Sequence, residues 1–198
     1  MTSDQSIGLL VFALVAAITP GPSNVMITAT AAAVGIRRGL PCALGAAVGM
    51  AILLFAAALG FGRLVAAAPE ILAAAKWCGA AFLLWLAWRI TTAGRSTAGG
   101  AARPVGFLGA AAFQWVNPKG WLVAIGAAGT YLPAAADSPL RQALVFATLF
   151  FVAAFPAMLV WLLFGALLQR FLAEDRSARI FNAAMGLMLA ASVIVMLR

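Results

Sequence analysis

Six long apolar blocks run along the chain, at 7–34, 40–61, 71–90, 105–132, 140–168 and 178–197. Short polar or Gly/Pro-rich punctuation separates them: GIRRG, GRLVAAAPE, TTAGRSTAGGAARP, PAAADSP and QRFLAEDRSAR. A helix that crosses a bilayer needs about 20 apolar residues. The pattern therefore predicts an all-α integral membrane protein with six transmembrane helices, forming a single membrane domain over 1–198. Residues 93–104, at the midpoint, are rich in Gly, Ala, Ser and Thr and predict a flexible connector.

Two of the blocks are interrupted. ITPGPSNVM, at 18–26, lies inside the first, and Asn117-Pro118-Lys119-Gly120 lies inside the fourth. A proline in a helix interior costs about 3 kcal/mol or more, because it lacks an N–H and its ring clashes with the preceding turn. Pro20 and Pro118 are 98 residues apart, close to half of the 198-residue chain, and Pro41 and Pro139 repeat that spacing. The chain thus reads as two three-helix repeats, about 1–92 and 105–198, with helices 1 and 4 broken at mid-membrane. Three spans per repeat send the second copy into the bilayer from the opposite side, which makes the repeats inverted. Interrupted helices at matching positions point to a substrate site at the midplane. Pro156, alone in the fifth block, is expected only to kink its helix. The same reading, packing kinks alone, is the alternative for the two breaks.

A broken helix leaves N–H and C=O groups that must be buried in protein or line a wet cavity. The N-terminus of the following half-helix suits a carboxylate. The C-terminus of the preceding one suits an ammonium group. Two facing breaks could hold a zwitterion. Polar side chains gather at both: Thr19, Ser23 and Asn24 at the first, Gln114, Asn117 and Lys119 at the second. A lysine at mid-membrane costs about 2.5–3.5 kcal/mol on insertion scales. Lys119 could draw an anionic group, cap carbonyls freed by a break, or snorkel to an interface. Asn24 and Asn117 could bond a substrate or satisfy broken backbone. Gly45-x-x-x-Gly49 allows close helix approach, within the monomer or in a homodimer.

Composition agrees with a bilayer setting. The chain is 65% hydrophobic and 9% charged, with a mean hydropathy of +1.07, against about 25% charged residues in soluble domains. The net charge of +8 does not indicate nucleic acid, since the basic residues lie singly or in pairs between apolar runs. Arg37, Arg38, Arg89, Arg95, Arg103, Arg170, Arg176 and Arg179 would fall on one side, and Arg63, Lys76, Arg141 and Arg198 on the other. The richer side is expected to be cytoplasmic, leaving both termini periplasmic. The start, MTSDQSIG, carries an acid and no basic n-region, unlike a cleaved signal peptide. Trp77 and Trp88 suit interfacial anchoring, and the other tryptophans suit packing. Cys42 and Cys78 are isolated and read as small apolar filler.

The chemistry that is missing narrows the cargo. The chain has no histidine, and Asp4, Glu70, Asp137, Glu174 and Asp175 all lie outside the blocks. No carboxylate relay for protons is evident within the spans. A cationic substrate would lack a buried counter-charge, which favours neutral over basic amino acids. Metal ligands are missing too, so neither a metal carrier nor a bound cofactor is expected.

ITPGPSNVMITATAAAVGIRRGLPCALGAAVGM resembles the N-terminal signature of the LysE/RhtB family of bacterial amino-acid exporters. AKWCGAAFLLWLAWRI resembles that family's third span, and FQWVNPKGWLVAIGAAGTYL its fourth. The resemblance covers the whole chain in order. It implies a six-span exporter of the bacterial inner membrane, driven by the proton gradient and not an enzyme. The motif positions carried over are Pro20, Gly21, Pro22, Asn24, Asn117, Pro118 and Lys119. Ser23 replaces an asparagine found in many members, and span 2 lacks the acid that lysine exporters tend to carry. The expected substrates are neutral amino acids or derivatives of homoserine, threonine or branched-chain type. A passive channel or structural subunit is the alternative. A thiol oxidoreductase would need a cysteine at each break, and neither break has one.

Overall fold

The structure is a computed structural model, which describes residues 1–60, 69–92, 105–132, 138–171 and 175–197. Among the described residues every regular element is a helix. The helices are α1 (Ser3–Ile18), α2 (Pro22–Ala58), α3 (Pro69–Thr91), α4 (Phe107–Val116), α5 (Pro118–Tyr131), α6 (Pro139–Phe171) and α7 (Asp175–Leu197). The expected connector, 93–104, lies outside the described residues, as do most of the punctuations at 62–70 and 133–139.

Among the described residues, seven helices stand where six spans were expected, for two local reasons. The first and fourth blocks are each divided at their proline motif. The first punctuation, by contrast, is a kink: α2 consists of two helical arms that meet at Gly35, which is non-helical with φ 77° and ψ 177°. That backbone region is open essentially to glycine alone. One residue therefore turns the helix, and the rest of GIRRG is helical rather than loop. Pro41, near the start of the second block, lies inside the second arm of α2. Pro139 does open α6, and α6 runs on through Pro156.

Only Pro22–Ala58 and Pro139–Leu168, among the described residues, are individually long and apolar enough to cross a membrane. A divided span fails such a test by construction, since each half is short: α1 has 16 residues and α4 has 10.

α2 and α6 pack along each other at the centre, α4 and α5 lie against α2, α1 lies against α6, and α3 pairs with α7. One close approach uses the glycine pair the sequence marks. A Cβ on Gly45 would strike the Phe107 carbonyl oxygen, and one on Gly49 would come within 2.6 Å of the Ala111 Cα. The small-residue face is thus occupied within the chain, by α4. Two buried clusters fill the interior. One centres on Met26, Ile27, Phe113 and Leu162, the other on Leu9, Leu53, Phe146 and Phe150. Cys42 is core filler as expected, but Cys78 is exposed on α3. Trp77 and Trp88 are also exposed on that helix.

Candidate functional site

The breaks follow from proline chemistry. A residue before proline is pushed out of the helical region by the ring Cδ. Thr19, before Pro20, has φ −64° and ψ 128°. Gly21, before Pro22, is fully extended. Asn117, before Pro118, has φ −83° and ψ 110°. Pro22 and Pro118 then each open a new helix at its first position, where a missing N–H is no loss. The first break is three residues wide, 19–21, and the second is Asn117 alone.

The fold brings the two breaks together. Lys119 Nζ donates to the Thr19 carbonyl at 2.6 Å and the Pro20 carbonyl at 3.3 Å. As the second residue of α5, Lys119 is placed where its charge opposes that helix's own dipole. It turns instead to the C-terminal end of α1, where the partial charge is negative. Gly21 makes the crossing feasible, because a Cβ there would lie 2.8 Å from Lys119 Cδ. Asn24 Nδ2 adds bonds to the carbonyls of Ala17 at 3.0 Å and Thr19 at 2.9 Å. At the end of α4 the equivalent work falls to a neutral group: Trp121 Nε1 donates to the Trp115 carbonyl at 2.8 Å.

A chain of side-chain hydrogen bonds joins the breaks. Asn117 Nδ2 donates to Ser23 Oγ at 3.0 Å and to Gln114 Oε1 at 3.3 Å. Ser23 Oγ donates to Gln114 Oε1 at 3.1 Å, and Gln114 Nε2 donates to the Ala110 carbonyl at 3.1 Å. Gln114, Asn117 and Asn24 are all buried, at 1%, 3% and 4% exposure. Yet Asn117 Oδ1 has no partner. A buried polar atom without a partner is costly; Gln142 Nε2 and Trp161 Nε1 share this state, but Asn117 alone of the three lines the cavity at the breaks.

Residues at the two breaks border a cavity of about 40 Å³, room for roughly two or three waters. Gly21, Ser23, Asn24, Gln114, Asn117 and Lys119 line it. The other predicted site residues do not. Pro20, Pro22 and Pro118 shape the backbone without lining the cavity, and the Thr19 hydroxyl turns back to the Val15 carbonyl at 2.6 Å. The two asparagines divide the roles the sequence left open: Asn24 holds broken backbone, whereas Asn117 keeps an unused acceptor. Lys119 caps carbonyls and also faces the cavity. Sequence reasoning missed Met50, Phe150 and Met158, which line the cavity from farther along the chain. Apolar residues within apolar helices offer no contrast by which to find them.

The first turns of α2 and α5 have no side-chain cap. Their leading amides have no intrahelical acceptors, and both turns border the cavity through Ser23 and Asn24 and through Lys119 and Gly120. The site therefore offers two positive helix ends, one ammonium and one unpaired amide oxygen.

The model of the LysE type translocator family matches residues 14–197. A protein of Klebsiella pneumoniae subsp. pneumoniae named "Cysteine/O-acetylserine efflux protein" is 34% identical over 197 residues, 98% of this chain and all of that one. Proteins of the same name from Salmonella choleraesuis and Escherichia coli K12 are 34% and 32% identical over 122 residues, covering 61% of this chain and 62% of theirs. No solved structure matches the chain.

Proposed function

This chain belongs to the LysE type translocator family, and on that premise we propose that it exports small neutral amino acids, cysteine and O-acetylserine foremost, across the bacterial inner membrane. Family membership makes it a membrane transporter rather than an enzyme. The relatives' names move the expected cargo from homoserine, threonine and branched-chain types toward short sulfur- or oxygen-bearing side chains.

The observation that carries the reading is the meeting of two helix breaks at one cavity, with Lys119 and Asn117 both among its lining residues and Asn117 Oδ1 buried without a partner. A substrate carboxylate would sit against Lys119 Nζ and the leading amides of α2 and α5. Its ammonium group would donate to Asn117 Oδ1. Ser23, Asn24 and Gln114 hold these groups in place. Thr19, Pro20, Gly21, Pro22 and Pro118 set the backbone that presents them.

The transport cycle is alternating access by two inverted three-span repeats, about 1–92 and 105–198. Two features support it. Gly21 and Lys119 occupy matching positions, 98 apart, and lie against each other. The cavity is lined from both halves of the chain, by Ser23, Asn24 and Met50 of the first and by Gln114, Asn117, Phe150 and Met158 of the second, so it lies where the two repeats meet. Export is coupled to protons, and both termini are periplasmic.

Purified protein in liposomes tests the reading. A panel of amino acids would be assayed with and without an imposed pH gradient. Accumulation of cysteine or O-acetylserine against its own gradient is expected. Movement only down a gradient would make the protein a passive channel instead.

A further inference from the structure

The cavity has a second, chemically distinct wall. Its polar lining comes from the two breaks. Its larger apolar side chains come from farther along the chain: Met50 on the second arm of α2, and Phe150 and Met158 on α6, with the small Ala16, Ala17 and Val123 beside the breaks. Met50, Phe150 and Met158 are buried, at 5%, 2% and 5% exposure. No acid lines the cavity. Gly120 stands near this wall, where an added Cβ would lie 3.6 Å from Met50 Sδ and 3.2 Å from Leu53 Cδ2.

Resting on the proposed function, we infer that Met50, Phe150 and Met158 form the side-chain subsite of the transporter and set which amino acids it accepts. An amino acid held by its charged groups at the breaks must direct its side chain away from them. The apolar wall is the surface left to receive it. A wall of two thioethers and one ring desolvates a short thiol or ester side chain, and the flexible, polarizable thioethers adapt to its shape. A charged side chain would lose its hydration there with no counter-charge in return. Methionine has three rotatable side-chain bonds and can vacate space. Phe150 is stiffer and sets the depth. Specificity is thus an upper limit on side-chain volume, together with rejection of charge.

The test is a substrate profile rather than an activity. Met50→Ala and Met158→Ala would be purified, shown to be monodisperse, and assayed in liposomes against cysteine, leucine, phenylalanine and lysine. Each truncation enlarges the wall by several methylene equivalents, and one methylene in an apolar pocket shifts discrimination about tenfold or more. The leucine-to-cysteine ratio of transport rates should therefore rise at least about tenfold in either variant, with lysine still rejected. Two variants guard against one failing to fold. Transport of cysteine with an unchanged profile in both would overturn the inference and leave the proposed function standing. Failure of the wild-type protein to transport any amino acid would remove both.

Discussion

The two helix breaks look alike in sequence and differ in construction. The first spans three residues, because Thr19-Pro20-Gly21-Pro22 pushes two pre-proline residues out of the helix. The second is Asn117 alone. The first is held by polar side chains from two places: Asn24 from its own helix and Lys119 from the other break. At the second, the carbonyl at the helix end is capped locally, by the Trp121 indole on Trp115, while Asn117 itself bonds across to Ser23. A wide break with a charged cap supplied from elsewhere can change partners. A narrow break with a neutral cap from its own chain segment holds its shape. On the proposed alternating-access cycle, the difference predicts that the first break moves and the second holds.

The largest test of that contrast is Lys119→Ala. It removes a charge-assisted bond between the breaks, worth about 1.5–3 kcal/mol. Each 1.4 kcal/mol is a factor of ten, so initial export rates in liposomes should fall at least about tenfold. Wild-type rates from the variant would mean the charged cap is dispensable. Next is Asn24→Ala, which takes the side-chain partner from the Ala17 carbonyl and one of two from Thr19. It should lower stability in detergent by about 1–3 kcal/mol, read as a drop in the thermal midpoint. At the other break, Trp121→Phe keeps the edge-to-face ring contact with Trp115 while losing one neutral hydrogen bond. Its effect should be smaller, about 0.5–1.5 kcal/mol. A larger loss here than at Asn24 would reverse the assignment of moving and fixed parts. Smallest of all is Thr19→Val. The hydroxyl bonds only its own helix and lies outside the cavity, so stability should stay within about 0.5 kcal/mol. Its export rate should be close to wild type in the same liposome assay.

How much of this was legible in the sequence depends on whether a residue stands out against its surroundings. Proline announces itself, because its missing N–H and rigid ring act on the backbone whatever the context, and so both breaks were readable. Ser23, Asn24, Gln114, Asn117 and Lys119 were readable as polar groups in apolar blocks. The direction in which each side chain bonds was not. Asn24 and Asn117 are the same residue type at similar breaks, yet one holds carbonyls and the other keeps a bare oxygen, which depends on what faces each of them. Met50, Phe150 and Met158 were invisible, because an apolar residue that lines a cavity has the same local pattern as one that meets lipid. GIRRG read as a loop on composition, but a single glycine with positive φ was enough to turn the chain.

The close seating of α4 on Gly45 and Gly49 also bears on how the protein is made. The ribosome delivers those glycines long before Phe107 and Ala111, the residues that fill their groove. It delivers the Thr19 and Pro20 carbonyls almost a hundred residues before the lysine that caps them. The nascent N-terminal half thus enters the bilayer with an empty groove and an open helix end, and neither is satisfied until the second half arrives. Synthesis of the C-terminal half is therefore also the step that completes the folding of the first.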